Sequence, residues 1–113
     1  MDVALDPFMC LANPVRRSVL DHLILGPLNV DELWTKVSQA RKLSRSSFSE
    51  HLAVLRNARM VTVSIRRTER IYALSPDGFT PVFDWVSHYE AFWDDKLSNL
   101  STYLRKMETH ENP

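Results

Sequence analysis

Between Ser44 and Leu74 the chain gathers side chains whose chemistry suits a polyanion. Arg45, Ser46, Ser47, Ser49, Glu50 and His51 stand in the run SRSSFSEHLAVL, and Arg66, Arg67 and Arg70 follow in VTVSIRRTERIYAL. A guanidinium can pair with phosphate oxygens or fork onto guanine O6 and N7. Hydroxyls suit phosphates and varied base edges, and a carboxylate can accept from a cytosine amino group. Glu50 has a second reading as a surface partner of Arg56 or Arg45. His51 lies nearer the inner face of its helix and has a second reading in local packing or hydrogen bonding.

The overall charge conceals this region, because 14 Lys and Arg balance 14 Asp and Glu across 113 residues. Residues 36–70 carry Lys36, Arg41, Lys42, Arg45, Arg56, Arg59, Arg66, Arg67 and Arg70 against Glu50 and Glu69, a local excess of +7. The flanks carry −3 and −4. A basic segment between acidic ones can supply a phosphate-neutralising footprint in a chain that is neutral as a whole.

The elements that must position these groups are punctuated by caps. Asp6 precedes Pro7, and Asn13 precedes Pro14, so helices are expected over about Pro7 to Leu11 and from Pro14 to the stop at Gly26 and Pro27. The second helix carries Val15, Val19, Leu20, Leu23 and Ile24 on one face. Asn29 and Glu32 have capping-box spacing, which predicts a third helix over Val30 to Val37 with Leu33 and Val37 inward. After the connection SQARKL, Ser44 caps a fourth helix whose Phe48, Leu52 and Leu55 recur at helical spacing and face the core. Its outward side is small and polar, as a helix entering a major groove requires.

Val61, Val63 and Ile65 alternate as in a half-buried strand, and Tyr72 with Leu74 marks a second strand after the RRTER connection. SPDG reads as a turn. Thr80 and Pro81 then open a last helix, in which Val82, Val86, Tyr89, Trp93, Leu97, Leu100, Leu104 and Met107 form a sustained apolar seam widened by Phe83, Trp85, Phe92 and Tyr103. That is more apolar surface than one small core needs, and pairing with another helix is its simplest outlet. The expected architecture is mainly α with a small β-hairpin: five helices and a two-stranded wing in a single domain over residues 1–113, with residues 80–108 as the dimerisation helix.

Read together, LANPVRRSVLDHL, DEL, SFSEHLAVLRNARMV and the RRTERIYAL hairpin resemble the ArsR/SmtB-type winged helix-turn-helix regulators from about Pro7 to Leu74. The aromatic last helix looks like the branch without metal-binding cysteines. The resemblance implies a sequence-specific repressor that binds double-stranded DNA as a homodimer joined by its first and last helices. Phe8 and Leu11 would then join the C-terminal seam at the interface. It implies that Arg45, Ser46, Ser47, Ser49, Glu50 and His51 form the reading surface. Arg66, Arg67 and Arg70 would bind phosphate, assisted by Arg16 or Arg17, with Arg41 and Lys42 adding contacts from the connection. Two features depart from the family: Thr68 and Glu69 occupy a wing tip where glycine is usual, and SQARKL is longer than the usual turn.

Other chemistries find little support. Metal-sensing relatives use cysteines in the third helix or paired donors in the last; here the third helix offers Trp34 and Lys36, and Asp84 with His88 lacks the paired-histidine spacing. No metal and no cofactor are expected. Cys10, beside Phe8, Met9 and Leu11, reads as a small buried hydrophobe rather than a redox switch. Trp85, Tyr89, Phe92 and Trp93 have two readings, plain packing between two copies or a pocket for a small-molecule effector of unknown identity, and packing is favoured. Neither a serine elbow nor a glycine-rich phosphate loop occurs, so no enzymatic activity is expected. The sole cysteine and the lack of a signal peptide or a long apolar run suggest a cytoplasmic protein that does not cross a membrane. The alternative to DNA recognition is a winged-helix protein-interaction module using its aromatic last helix.

Overall fold

The computed structural model describes residues 6–111, with burial described through residue 108. The remaining positions of the expected 1–113 domain lie outside the described residues. Six α-helices and three strands occur among them: α1 Pro7–Leu11, α2 Pro14–Leu23, β1 Leu28–Asn29, α3 Val30–Ser38, α4 Arg45–Asn57, β2 Val61–Arg66, β3 Glu69–Leu74, α5 Thr80–Ser87 and α6 Glu90–Glu111. The chain divides into two compact units, Met1–Val82 and Phe83–Pro113.

Helices α1 to α4 each start on a side chain that accepts a backbone N–H left unpaired by helix geometry. Asp6 accepts from Phe8 at 2.9 Å, and Asn13 accepts from Val15 at 2.8 Å and Arg16 at 3.2 Å. In α3, Asn29 accepts from Glu32 at 2.8 Å while the Glu32 carboxylate accepts from Asn29 at 3.3 Å, the reciprocal capping box that the spacing predicted. Ser44 accepts from Ser47 at 3.1 Å.

The core of this unit is assembled from the faces these caps set. Cys10, Val19, Leu33, Val37, Phe48, Leu55 and Met60 are fully buried, with Leu23, Leu52, Val61 and Tyr72 nearly so. Burying each large side chain contributes about 1.5–3 kcal/mol, which holds α2, α3 and α4 together around Phe48. Ile24, expected on that face, is 70% exposed because α2 has already ended at Leu23.

The sheet has three strands rather than two, in the order β1-β3-β2 with both pairings antiparallel. Leu28 pairs with Tyr72 and Asn29 with Ile71, so Asn29 ends a strand and caps α3 at once. In the hairpin the register runs from Val61 opposite Leu74 to Arg66 opposite Glu69. Val61 is buried and Val63 partly so, but Ile65 is 74% exposed, because the strand runs past the end of the core.

Helix α4 ends in a Schellman turn. Met60 N–H donates to Leu55 C=O at 3.0 Å and Arg59 N–H to Arg56 C=O at 3.0 Å. Arg59 holds the left-handed position, φ 60°, where glycine is usual. Gly78 locks this turn from outside by donating to Arg59 C=O at 2.9 Å, and a Cβ on Gly78 would lie 2.4 Å from the Arg59 carbonyl atoms.

The second unit differs from the expected single helix. The helical run breaks at His88 and Tyr89, separating α5 from α6, while the apolar spacing continues through the break. Phe83, Trp85, Val86, Tyr89, Phe92, Trp93, Leu97, Leu100, Tyr103, Leu104 and Met107 are all exposed. No helix among the described residues is long and apolar enough to cross a membrane.

Candidate nucleic-acid interface

Helical spacing in α4 places Arg45, Ser46, Ser49 and Glu50 on one arc, and all four are exposed. Arg56 and Asn57 lie further along the same arc and are exposed too. The arc opens at a helix N-terminus, where the partial positive charge of the backbone favours an anion. Glu50 has no ion-pair partner among the described residues.

Arg45 is held in place. Its Nη2 lies 2.7 Å from Asp31 Oδ1, and its guanidinium carbon lies 5.2 Å from the centre of the Trp34 ring. Trp34 meets the buried Phe48 edge-on, with ring centres 5.3 Å apart, so the ring beneath Arg45 is anchored in the core. Arg45 therefore pairs across to α3, not with Glu50.

Ser47 and His51 sit off the arc, and both are partly buried. His51 Nδ1 lies 3.0 Å from Arg16 Nη1. Because a guanidinium only donates, Nδ1 accepts, and the neutral ring carries its proton on Nε2. Burial, and next the positive charge of Arg16, lower the His51 pKa, with Glu50 acting in the opposite direction.

Arg16 is occupied elsewhere as well. Its Nε donates to Cys10 C=O at 3.0 Å and its Nη2 to Met9 C=O at 3.0 Å, while Arg17 donates to Leu11 C=O. These two side chains satisfy the last carbonyls of α1. Arg16, expected to assist at phosphate, thus has its guanidinium committed inside the fold; Arg17 is exposed and also tied to α1. Cys10 is fully buried, its Sγ 3.9 Å from Val54 C=O, and burial raises its pKa, in keeping with a packing role.

The wing distributes its arginines. Arg66 lies opposite Glu69, on one face, and Arg70 lies opposite Ile65, on the other. Arg67 stands first in the two-residue turn with φ 61°, a position that ordinarily falls to glycine. All three are exposed, as are Arg41 and Lys42 in the segment between α3 and α4.

No protein-family model matches the chain. Among curated proteins, it is 33% identical over 97 residues to the HTH-type transcriptional regulator Rv2034 of Mycobacterium tuberculosis, covering 86% of this chain and 84% of that protein. It is similar to a crystal structure described as a possible transcriptional regulator for arsenical resistance, at 31% identity and a TM-score of 0.59, covering 86% of this chain and 94% of the other. An ArsR family transcriptional regulator, RHA00566, matches with a TM-score of 0.63 and 26% identity over 79% of this chain and 88% of its own. The chain belongs to the ArsR family of transcriptional regulators.

For an ArsR-family chain, the winged helix-turn-helix comprises α3, α4 and the β2-β3 hairpin, and DNA-binding regulation rather than catalysis is its function. The family resemblance places Ser47 and His51 on the reading surface, while the second reading of His51, local hydrogen bonding on the inner side, matches its bond to Arg16. Helical phase turns both toward the body of the unit. Arg56, expected only as a basic residue and a possible partner of Glu50, shares the arc through its i, i+7 spacing from Ser49, and Asn57 lies beside it. The pairing of Asp31 with Arg45 has no local signal in the sequence, because the two are separated by fourteen positions.

Proposed function

We propose that the chain acts as a homodimeric repressor on an inverted-repeat operator. In this reading the exposed arc of α4 enters a major groove, with Arg45, Ser46, Ser49 and Glu50 toward the bases, and Arg66, Arg67 and Arg70 meet the backbone or an adjacent groove. The observation that carries it is the arc itself: a capped helix N-terminus presenting small polar residues behind one cation, within a segment of +7 local charge. Ser47 contributes at most a phosphate contact from the first turn, and His51 holds α4 against α2 through Arg16.

Dimerisation is supported by the exposed seam Val86, Tyr89, Trp93, Leu97, Leu100 and Leu104, a row of large apolar side chains at helical spacing left facing solvent. Phe8 is exposed on α1 and fits the same role, whereas Leu11 and Val82 are partly buried. The covering occupant in this reading is a second copy. Packing of Trp85 on Tyr89 and of Phe92 on Trp93, edge-on with ring centres 5.3 and 5.1 Å apart, favours an interlocked aromatic surface over an open effector pocket.

The test is selection of binding sites from random duplex DNA, then titration of the winner and a scrambled control at two salt concentrations. The expected result is an inverted repeat with half-sites about one helical turn apart. Expression of the protein should also lower output from a reporter promoter overlapping that site. Weak binding without enrichment would remove the repressor reading and favour the alternative of a winged-helix protein-interaction module.

A further inference from the structure

Resting on Arg45 as a DNA-contacting residue, we infer that Asp31 and Trp34 are positioning residues that set the specificity of the interface. They hold the Arg45 guanidinium oriented and locally neutralised, which favours a base edge over the phosphates.

Three features of the cluster lead there. The first is order: a long flexible arginine at the start of a recognition helix would ordinarily be free to rotate, but Arg45 is clamped between a carboxylate at 2.7 Å and an indole face at 5.2 Å. The indole is fixed by edge contact with Phe48, at the centre of the core. The second is the donor inventory. A guanidinium carries five N–H groups in a planar fork, and Asp31 engages only Nη2, so another edge remains for the paired acceptors of a guanine. With the Trp34 ring on one side and Asp31 on another, the orientations open to that fork are restricted, and orientation matters to a bidentate base contact far more than to a phosphate contact.

The third is charge. The Asp31 side chain is 80% exposed and that of Arg45 53% exposed, so the carboxylate lies at the surface beside the cation it pairs with. A carboxylate there opposes phosphates approaching from any sequence, while a guanine that offers N7 and O6 to the open edge leaves the Asp31 contact intact. Non-specific binding is thereby weakened more than specific binding. Lysine could not replace Arg45 in this arrangement, because an ammonium has neither the plane nor the second edge.

The test compares Asp31→Asn, Trp34→Phe, Arg45→Met and the double variant Asp31→Asn with Arg45→Met, each titrated with the selected duplex and a scrambled duplex across a range of salt. Asp31→Asn should raise affinity for the scrambled duplex about fivefold, the factor of a contact ion pair in water, and steepen the salt dependence by about one phosphate contact. It should also relax the preference at one base-pair position of each half-site. Trp34→Phe leaves charge unchanged, so it should relax the same position with no change in salt slope.

In the Arg45→Met background, Asp31→Asn should lose its effect on base preference. If Asp31→Asn matches the parent on both duplexes while Arg45→Met weakens binding, the positioning role is overturned and the reading of α4 stands. If Arg45→Met itself changes nothing, both fall together. If Asp31→Asn changes base preference equally with and without Arg45, Asp31 touches DNA on its own account and the inference is wrong.

Discussion

The two units of this chain treat apolar side chains in opposite ways. Up to Val82 the large ones converge, and Phe48, Leu33, Leu55 and Met60 have no solvent exposure. Beyond it, Phe83, Trp85, Phe92 and Trp93 are exposed, and none of the described side chains on α5 or α6 is buried. One unit is completed by its own chain. The other has the apolar content of a core and the accessibility of a surface, which is the composition of an interface cut in half.

The sharpest way to break this contrast is to charge the exposed seam. Replacing Trp93 and Leu97 together with glutamate should halve the mass measured by light scattering. It should weaken binding to the selected inverted repeat by about a hundredfold or more, because two linked half-site contacts become independent. A variant that keeps its mass would show that the seam is not what joins two copies.

The complementary cut is Phe48→Ala, which should lower unfolding free energy in urea by about 3–5 kcal/mol. Gly78→Ala comes next, at about 1–3 kcal/mol, since its methyl group would meet the backbone of the α4 turn. Arg59→Gly should move the other way and raise the unfolding free energy in urea by about 0.5 kcal/mol. Relief of a left-handed arginine outweighs the added freedom of glycine in the unfolded chain.

The smallest expected effect is a pH dependence through His51, whose pKa is lower in the folded protein than in the unfolded chain. The neutral ring accepts from Arg16, so its contribution is present above the unfolded value of about 6.5 and is lost as pH falls toward and through the folded pKa. Melting temperature should therefore drop further between pH 7.5 and pH 5 in the parent than in His51→Gln, and equal drops would remove His51 from that role.

Much of the first unit was legible because its signals are local. Asp6, Asn13, Asn29 and Ser44 announce helix starts through chemistry acting over two or three residues, and each makes the bond its type implies. The inward set Phe48, Leu52 and Leu55 follows from periodicity alone. The misses have a different character. The break at His88 and Tyr89 was hidden because apolar spacing continues across it, and β1 is too short at two residues to have a pattern. The left-handed residues Arg59 and Arg67 bear none of the glycine signal that usually marks such positions. At the candidate interface, the exposed arc was readable from helical phase, whereas the Asp31 and Arg45 pair depends on how α3 meets α4.

Arg16 has a mechanical meaning beyond its hydrogen bonds. One planar group grips two carbonyls at the end of α1 and the ring of His51 on α4, each at 3.0 Å. It works as a tie rod between α1 and α4. Sliding α1 away from α4 means breaking bonds in a rigid fork together, not one after another, so whatever braces α1 from outside also stiffens α4.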